Sequence, residues 1–266
     1  MDEYRKEHGC WGLSNIGWLR HHFQSRLFAL GRLQFCLDAF RAPFRGFRER
    51  KTGRFVVLAP GVARVRRDGQ FDGTDGVLDP EAFIIRTTET AEHFTGHPVS
   101  PNGRIAPDAA VLPRDAWNEV LRPDDPAISV HIPATGPLEH AACAESFRLA
   151  ADFFPRCFPE HRATAFFSMT WLFDNQFPTL LPGGSNIVRF QREFQLFPLP
   201  GATGAQMWER VFGARPDDLS CAPDDTALRR AVLAHARAGG HFQIGGGLIM
   251  PDDLPWGRAV YHSLTT

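Results

Sequence analysis

The sequence predicts one mixed α/β (α+β) domain over residues 1–266, built as a twisted mixed sheet with flanking helices. Residues 33–37 alternate between apolar and polar side chains, which is the period of two of a strand with one buried face. Residues 127–132 form a short apolar strand, and an amphipathic helix follows. Neither an internal repeat nor a long linker divides the sequence.

The helix after residue 132 has the clearest signals in the chain. Gly136 suits its N-cap, Pro137 suits the first helical position, and Glu139 favours the positive end of the helix dipole. Pro155 is expected to end it. Its predicted buried stripe comprises Cys143, Phe147, Ala150 and Phe154.

The other elements follow from alternation, turn residues and apolar runs. Apolar residues at irregular helical spacing predict an N-terminal helical extension over residues 1–28. Twenty-three phenylalanines against two tyrosines indicate a core filled with Phe. Before residue 127, the remaining predicted elements are a basic loop at 41–53, a hairpin of 54–58 with 62–66, an exposed loop at 68–80, a strand at 83–87, and an irregular region at 95–126 with a short helix at 115–121. After the central helix, they are a strand at 163–171 that is buried on both faces, an alternating strand at 187–197, a helix at 226–238 and a last strand at 241–250.

Charge and composition exclude several classes of function. The chain has 29 basic and 30 acidic residues, and a net charge of −1 creates no field that draws a protein onto nucleic acid or an anionic membrane. No apolar run reaches the roughly 20 residues of a membrane helix. The polar residues 1–8 are unlike a secretory signal. We therefore expect a cytoplasmic protein with neither a nucleic-acid nor a membrane partner.

The simple motifs of metal, phosphate and nucleophile sites are missing from the sequence. The five cysteines contain no Cys-x-x-Cys pair, and His93 and His97 lead into Pro98, so no stable helix places both on one face and no metal site is expected. Gly-x-Ser-x-Gly, the P-loop and Gly-x-Gly-x-x-Gly do not occur. Gly245–Gly247 lies in the last predicted strand and precedes no helix. A bulge or a close backbone approach therefore explains the three glycines better than a phosphate-binding loop does.

Residues 127–139 are the segment with the most definite local chemistry. A strand ends, the chain turns through residues 133–136, and a helix begins. The N–H groups of a helix's first turn are unpaired and lie at its positive end, so this turn suits a phosphate group. A tight strand-to-helix connection without a ligand is the alternative interpretation.

His131 stands near the end of the first of these strands. Histidine is the usual general base near neutral pH, although a lone strand histidine is more often a hydrogen-bonded core or rim residue. The chain order makes the strands at 127–132 and 163–170 neighbours. If they splay apart, a narrow slot opens that His131, Ser168 and Thr170 would face.

Several short runs, in one order along the chain, resemble a single family. They are Gly31–Phe35, His97–Gly103, Val130–Pro133, Gly136–Leu138, Phe153–Pro155, Thr170–Asp174 and Ser185–Gln191. On these runs the chain resembles the GNAT-like acyltransferase domain of a bacterial family of acyltransferase-domain proteins. The resemblance extends from about Gly12 to the C-terminus.

The resemblance implies a GNAT-like sheet that splits between two strands, with the pantetheine arm of an acyl thioester in the split. Here the two strands are residues 127–132 and 163–170, and the phosphate-binding helix begins at Pro137. The implied activity is N-acyl transfer in specialised metabolism, in which a deprotonated amine attacks the thioester carbonyl and the N–H of Ile132 stabilises the oxyanion. The implied co-substrate is acyl-CoA or an acyl-phosphopantetheine arm on a carrier protein, the acceptor is a small-molecule amine, and no cofactor is bound permanently.

The candidate site combines these assignments. His131 is the base or a substrate contact, and Ser168, Thr170 and Asp174 line the slot as further catalytic candidates. The residues expected to bind the thioester co-substrate are Ile132, Thr135, Gly136, Leu138, Glu139, Ser185 and Asn186.

The sequence departs from the family pattern at two points. Most GNAT enzymes carry Gln/Arg-x-x-Gly-x-Gly/Ala at the phosphate turn, whereas Pro133 and Pro137 stand in this turn without N–H donors, which favours a carrier-protein arm over coenzyme A. Tyrosine, a common acid for the leaving thiolate, occurs only near the chain ends. Asp174, Ser185 or water would take that role, or the thiolate leaves unprotonated.

Two other functions remain open at this level. One is a non-catalytic GNAT-like module that binds a carrier protein or another partner. The other is a hydrolase that uses Ser168 or Ser185 as nucleophile, with His131 as its base.

Overall fold

A mixed six-stranded sheet forms the centre of the protein, for which a computed structural model describes residues 5, 9–12, 20–21 and 23–263. Its neighbours are antiparallel except for one central parallel pair, β12 and β13, which the helix α1 (His140–Cys157) connects. With strands numbered along the chain, the spatial order is β1 (Leu27–Leu30), β2 (Leu33–Ala39), β12 (Pro126–His131), β13 (Phe166–Thr170), β15 (Gly245–Ile249) and β14 (Gln195–Pro198).

Smaller sheets are built from the segment between β2 and β12. The first has the order β11 (Trp117–Leu121), β3 (Arg45–Glu49), β4 (Phe55–Leu58) and β9 (Pro98–Val99). The second has the order β10 (Ala110–Pro113), β8 (His93–Gly96) and β7 (Thr88–Glu89), and the third pairs β5 (Val62–Val65) with β6 (Phe83–Arg86).

Shorter helices follow α1. They are α2 (Phe177–Leu180), α3 (Asn186–Gln191), α4 (Ala205–Phe212), α5 (Ala227–Arg237) and α6 (Val260–Ser263). The helix predicted at 226–238 is α5, and the Thr226 hydroxyl caps it by accepting the N–H of Arg229. Within the residues described, no helix combines the length and apolar character needed to cross a bilayer.

Phenylalanine rings fill both sides of the central sheet, as the composition predicts. On the side of α1, here called the helix face, Phe166 of the sheet contacts Phe147 of α1 edge to face. On the other side, here called the rear face, Phe40 contacts Phe167. The four residues of the predicted α1 stripe are all buried. Successive residues of β13 therefore pack against different layers of the protein.

Two segments predicted to be loop or helix are strands. The basic segment 41–53 contains β3, and residues 115–121 contain β11, which pairs with β3. The prediction was wrong because the charges of this segment are neutralised across the strands. Arg45 donates to the Glu119 carboxylate at 2.5 Å, so its basic character does not require an exposed loop.

The predicted hairpin exists as two strands that do not pair with each other. β4 pairs with β3 and β9, whereas β5 pairs with β6. The backbone of the turn forms hydrogen bonds with residues outside it. The N–H of Ala59 donates to the carbonyl of His97, and the carbonyl of Gly61 accepts the N–H of Thr87. The turn at residues 59–61 therefore joins separate sheets.

The alternating segment 187–197 is a helix followed by a strand, α3 and β14. Val188 and Phe190 are both buried although they are two residues apart, because α3 is enclosed on more than one side. The ring of Phe190 stacks on that of Phe173. Because α3 is buried on several sides, its apolar residues also match the two-residue period that is typical of a strand.

Three further predictions differ from the structure. Helix α1 does not end at Pro155 but continues to Cys157, with the proline inside its last turn. The loop at 68–80 is only partly exposed, because Gln70, Phe71 and Thr74 are buried. Most of the predicted helical extension at 1–28 lies outside the described residues, and its last two residues, Leu27 and Phe28, begin strand β1.

Candidate functional site

The parallel strands β12 and β13 separate after a short paired region. Their register comprises only Ile128 with Phe166 and Ser129 with Phe167. β12 continues to His131 along β2, while β13 continues to Thr170 along β15. Because each strand stays with its outer neighbour, a V-shaped opening forms between them at their carboxyl ends. This is the split that the family resemblance implies.

Glycines in β15 allow it to lie close to aromatic rings on both sides. A Cβ atom at Gly246 would overlap with the ring of Phe197, and one at Gly247 would lie 2.7 Å from the ring of Phe173. Gly245–Gly247 is therefore a close backbone approach, as the sequence favoured. These contacts position β15, which holds β13 on its side of the split.

The N–H of Ile132 is directed toward the split. Ile128, four residues earlier, donates its N–H to the carbonyl of Ala165, across the boundary between the two strands. Alternate N–H groups of an extended chain point to the same side, so those of Val130 and Ile132 also face β13. In the described structure the N–H of Ile132 has no hydrogen-bond partner. It is available to an acceptor placed between the strands.

The turn at residues 133–139 lies at the mouth of the split and leads into α1. Helix α1 begins at His140, three residues later than predicted, and its N-cap Glu139 makes no side-chain cap. Its first-turn N–H groups are therefore available to an anion. Thr135, Gly136 and Glu139 are exposed and Leu138 is buried.

Arg32 fixes the shape of this turn. Its guanidinium donates to the carbonyl oxygens of Gly136 at 2.6 Å and Pro137 at 2.9 Å. The remaining nitrogen, Nη1, is buried without a partner within the described structure. Sequence reasoning missed Arg32, because it precedes the turn by over a hundred residues and only folding brings the two together.

His131 lies on the rear face together with Ser129. Its Nε2 atom is 3.1 Å from the hydroxyl oxygen of Ser129, two residues earlier on the same face of β12. Burial, together with the charge of His21, lowers the pKa of His131 from 6.5 to about 4. The imidazole is therefore neutral at physiological pH. Ser129 was not among the predicted site residues.

Ser168 and Thr170 point to the helix face, away from His131. They alternate on β13 with Phe167, which packs on the rear face, and share the side of Phe166. The hydroxyl of Thr170 accepts the N–H of Leu172, which begins a 3-10 turn at residues 171–173. The structure therefore does not place these two hydroxyls beside His131.

Asp174 is a buried structural carboxylate. It accepts the backbone N–H of Gln243 and both the backbone and side-chain N–H groups of Gln176. Burial raises its pKa to about 6. It lies beyond the end of β13 and supports the loop there, so the structure gives it no place in the slot.

Ser185 and Asn186 begin helix α3. The Ser185 hydroxyl accepts the N–H of Val188 at 3.2 Å and is thus used as the N-cap. A hydroxyl engaged in this way is poorly placed to act as a nucleophile, and no histidine contacts it in the described structure. The hydrolase interpretation therefore lacks a serine–histidine pair at either predicted serine.

The histidine pair with metal-like spacing makes separate local contacts. His97 Nδ1 lies 3.0 Å from the carbonyl oxygen of Ala106, and His93 Nδ1 lies 3.3 Å from the Thr90 hydroxyl. Over the described ranges, no group of three or more His, Cys, Asp or Glu side chains is arranged to hold a metal ion.

A mixed sheet whose central parallel pair splits, with an uncapped helix N-terminus at the opening, defines a GNAT-like α+β fold. The chain belongs to the family described as the GNAT-like C-terminal domain, whose model matches residues 27–249.

Solved structures of acyltransferases have a similar fold. One is an acyltransferase variant in complex with octanoyl-CoA (22% identity, TM-score 0.55), and another is an acyltransferase with decanoyl-CoA and teicoplanin (23% identity, TM-score 0.54). Each alignment covers 93% of this chain and 53% of the other, so the chain spans about half the length of these proteins. A search of curated proteins finds no match to the chain.

Proposed function

We propose that this domain transfers an acyl group from the thioester of coenzyme A to an amine. The observation that carries the proposal is the split between β12 and β13, with the uncapped start of α1 at its mouth. A pantetheine arm is long and narrow, and it fits between separated strands whose backbone groups are unpaired. The phosphates would lie at the helix N-terminus.

The similar structures support coenzyme A as the donor, because they were solved with octanoyl-CoA, decanoyl-CoA or CoA. Pro133 and Pro137 remove two N–H donors from the turn. The N–H groups at the start of α1 and the adjacent guanidinium of Arg32 compensate for this loss. A carrier-protein arm remains the second donor to be tested, since it presents the same pantetheine without the nucleotide.

The split suggests how this chain's residues take part in direct transfer. The amine nitrogen attacks the thioester carbonyl, and the N–H of Ile132 stabilises the oxyanion, a contribution of typically about 3 kcal/mol to the barrier. The adduct collapses as the carbon–sulfur bond breaks and the carbon–nitrogen bond remains. The products are an amide and a thiolate.

Neutral His131 serves in proton transfer in both directions. A base of pKa about 4 is too weak to deprotonate a free ammonium ion, but it accepts the more acidic proton of the ammonium in the tetrahedral adduct. The imidazolium so formed is a strong acid toward a thiolate, whose conjugate thiol has a pKa of about 8.5. His131 therefore replaces the tyrosine acid that the sequence lacks near this site.

The acceptor is proposed to be a primary amine on a small molecule. One of the similar acyltransferases was crystallised in complex with decanoyl-CoA and teicoplanin. The present chain corresponds to about half of that protein's length, so the size of its own acceptor is a separate question.

Thiol release tests the proposal directly. The purified chain is incubated with octanoyl-CoA or decanoyl-CoA, with and without primary amines, while free CoA is followed with a chromogenic disulfide and the amide by mass spectrometry. Amine-dependent formation of amide and CoA in equal amounts is expected. Absence of transfer from CoA and from carrier-protein thioesters, together with no thermal shift by CoA, would leave a non-catalytic binding module.

A further inference from the structure

A polar cavity of about 320 Å³ lies beyond the carboxyl end of β13, apart from the split and from the turn at 133–139. It is formed where four parts of the chain meet: residues 66–77, Arg104, residues 175–179 and residues 241–243. The side chains that the argument uses are those of Arg66, Thr74, Arg104, Asn175, Gln176 and Gln243. Hydrogen-bonding groups thus dominate the described lining, and no Phe, Tyr or Trp ring belongs to it.

The polar groups of this cavity are held in place by their neighbours. Arg66, which is 8% exposed, donates through two nitrogens to the carboxylate of Asp68. Gln243, 7% exposed, donates its side-chain N–H to Gln70 at 2.7 Å. Gln176 is fixed in the same way by Asp174. Rigid polar groups of this kind are typical of a binding site.

Thr74 provides an independent sign of a missing ligand. The residue lines the cavity and is 2% exposed, yet its hydroxyl has no hydrogen-bond partner in the described part of the protein. A buried hydroxyl without a partner costs roughly 1–3 kcal/mol, and such groups are rare in folded proteins. A ligand in the cavity would satisfy it.

The charge of the lining favours an anion. Arg66 and Arg104 contribute two positive charges, and Asp68 neutralises one of them. Arg104 forms no ion pair with a described residue. His241 also lines the cavity, and its Nδ1 atom lies 3.0 Å from the carboxylate of Asp75. Among the described lining side chains, Arg104 is therefore the guanidinium that is left for an anion.

The cavity and the split open at the same edge of the central sheet. Asn175 and Gln176 follow the end of β13, and Gln243 precedes the start of β15. Residues 66–77 reach this edge from the rear face, because Phe71 packs on Phe44, and Phe44 packs on Phe197. This is also the face to which His131 points.

We propose that the cavity binds the anionic, hydrogen-bonding end of the acceptor, so that the acceptor is a small amine that also carries a carboxylate or a phosphate. The proposal rests on the proposed acyl transfer. Arg104 pairs with the anion, Thr74 and the amide side chains bind its polar groups, and the amine extends toward the split.

Matched amines test the proposal. Transfer from octanoyl-CoA is measured with glutamate against glutamine, and with glucosamine 6-phosphate against glucosamine, so that the two pairs distinguish a carboxylate from a phosphate. For at least one pair, kcat/KM is expected to be tenfold or more higher for the anionic member. Arg104→Ala should reduce that ratio to near one without changing KM for octanoyl-CoA, whereas Arg86→Ala on exposed β6 should leave it unchanged. Equal use of both members of each pair overturns the proposal.

A binding measurement separates this proposal from the proposed function. Saturation-transfer NMR without acyl-CoA detects the same four amines on the wild-type chain, on Arg104→Ala and on Thr74→Val. Thr74→Val removes an unpaired hydroxyl, so it should keep or raise the melting temperature while weakening the anionic ligand. Binding of an anionic member that both variants weaken supports the cavity even if no acyl transfer occurs. Binding that neither variant affects, or no binding at all, contradicts it.

Discussion

The hydroxyl oxygen of Ser129 lies 3.1 Å from Nε2 of His131, and both side chains are on the rear face of the sheet. Ser129 belongs to the last residue pair that joins β12 to β13, and His131 lies just past it, where the strands have separated. The contact therefore holds the imidazole beside the point at which a thioester would meet its acceptor. Ser129 is a positioning residue in this account.

Replacing His131 tests its role in proton transfer. His131→Gln should lower kcat at least 100-fold, because general acid–base groups contribute typically 10²–10⁴-fold. KM for octanoyl-CoA should be unchanged, since the imidazole does not bind the phosphates. Steady-state kinetics check this result, with His93→Gln on the distant strand β8 as the matched control. An active His131→Gln enzyme would remove the histidine from the mechanism.

Replacing Ser168 distinguishes direct acyl transfer from a mechanism with a covalent acyl-serine intermediate. Ser168→Ala should retain activity within about threefold, because the hydroxyl faces α1 rather than His131. Acyl-transfer rates and a fluorophosphonate labelling experiment both report on it. A loss of several hundred-fold, or labelling that disappears in the variant, would favour a covalent serine intermediate.

Arg32 should affect the donor more than the acceptor. Arg32→Ala removes two hydrogen bonds to the carbonyls of the turn at 133–139, and hydrogen bonds to charged groups contribute about 1.5–3 kcal/mol. We expect KM for octanoyl-CoA to rise about tenfold or more, with little change in KM for the amine. Arg41→Ala, an exposed arginine paired with Asp124, is the control. An unchanged affinity for CoA would show that the turn does not bind its phosphates.

Gly246 is predicted to be essential for stability rather than for phosphate binding. Gly246→Ala places a methyl group against the ring of Phe197, and overpacking of this kind costs about 1–3 kcal/mol or more. Denaturant unfolding should show this loss. Gly184→Ala is the control, because nothing lies within 4 Å of a Cβ at that position. Equal stability of the two variants would contradict the described packing of β15.

The lowered pKa of His131 predicts a specific dependence of stability on pH. Between pH 6.5 and about 4, the unfolded chain binds a proton at this residue and the folded chain does not. Stability therefore decreases as the pH falls through this range, by about 2 kcal/mol between pH 7 and pH 5. His131→Gln should reduce the loss by that amount in urea titrations at the two pH values. The raised pKa of Asp174 has the opposite effect on stability as the pH falls. Because the wild-type chain and His131→Gln both contain Asp174, its effect cancels when the two are compared.

Local patterns were sufficient to predict the strand at 127–132 and the helix after it, whereas the split followed from the family resemblance. The α1 stripe and the strand at 127–132 depend on residues close together in sequence, which periodicity reports well. The same reasoning failed at Val188 and Phe190, because burial on several sides of α3 does not follow one period. Contacts between residues far apart in sequence were also missed, because only folding brings them together. Arg32 meets the turn over a span of 104 residues, and the polar cavity joins four separate parts of the chain between residues 66 and 243.

The side chains of β12 and β13 point to two different faces of the sheet, which explains why His131 does not lie beside Ser168 and Thr170. The sequence grouped His131 with Ser168 and Thr170 because all three flank the split. Extrapolating the parallel register beyond Ser129 and Phe167 puts His131 opposite Met169, so the two hydroxyls fall on the other side of the sheet. Register between distant strands cannot be derived from either strand alone.

The central claim is that an acyl thioester lies between β12 and β13, and a crystal structure with a hydrolysis-resistant decanoyl-CoA thioether tests it most directly. The account predicts the pantetheine arm in the split, the atom that replaces the thioester carbonyl near the N–H of Ile132, and the phosphates at the turn held by Arg32. A ligand bound elsewhere on the protein, with the space between Ile132 and Thr170 filled by side chains, would contradict the account.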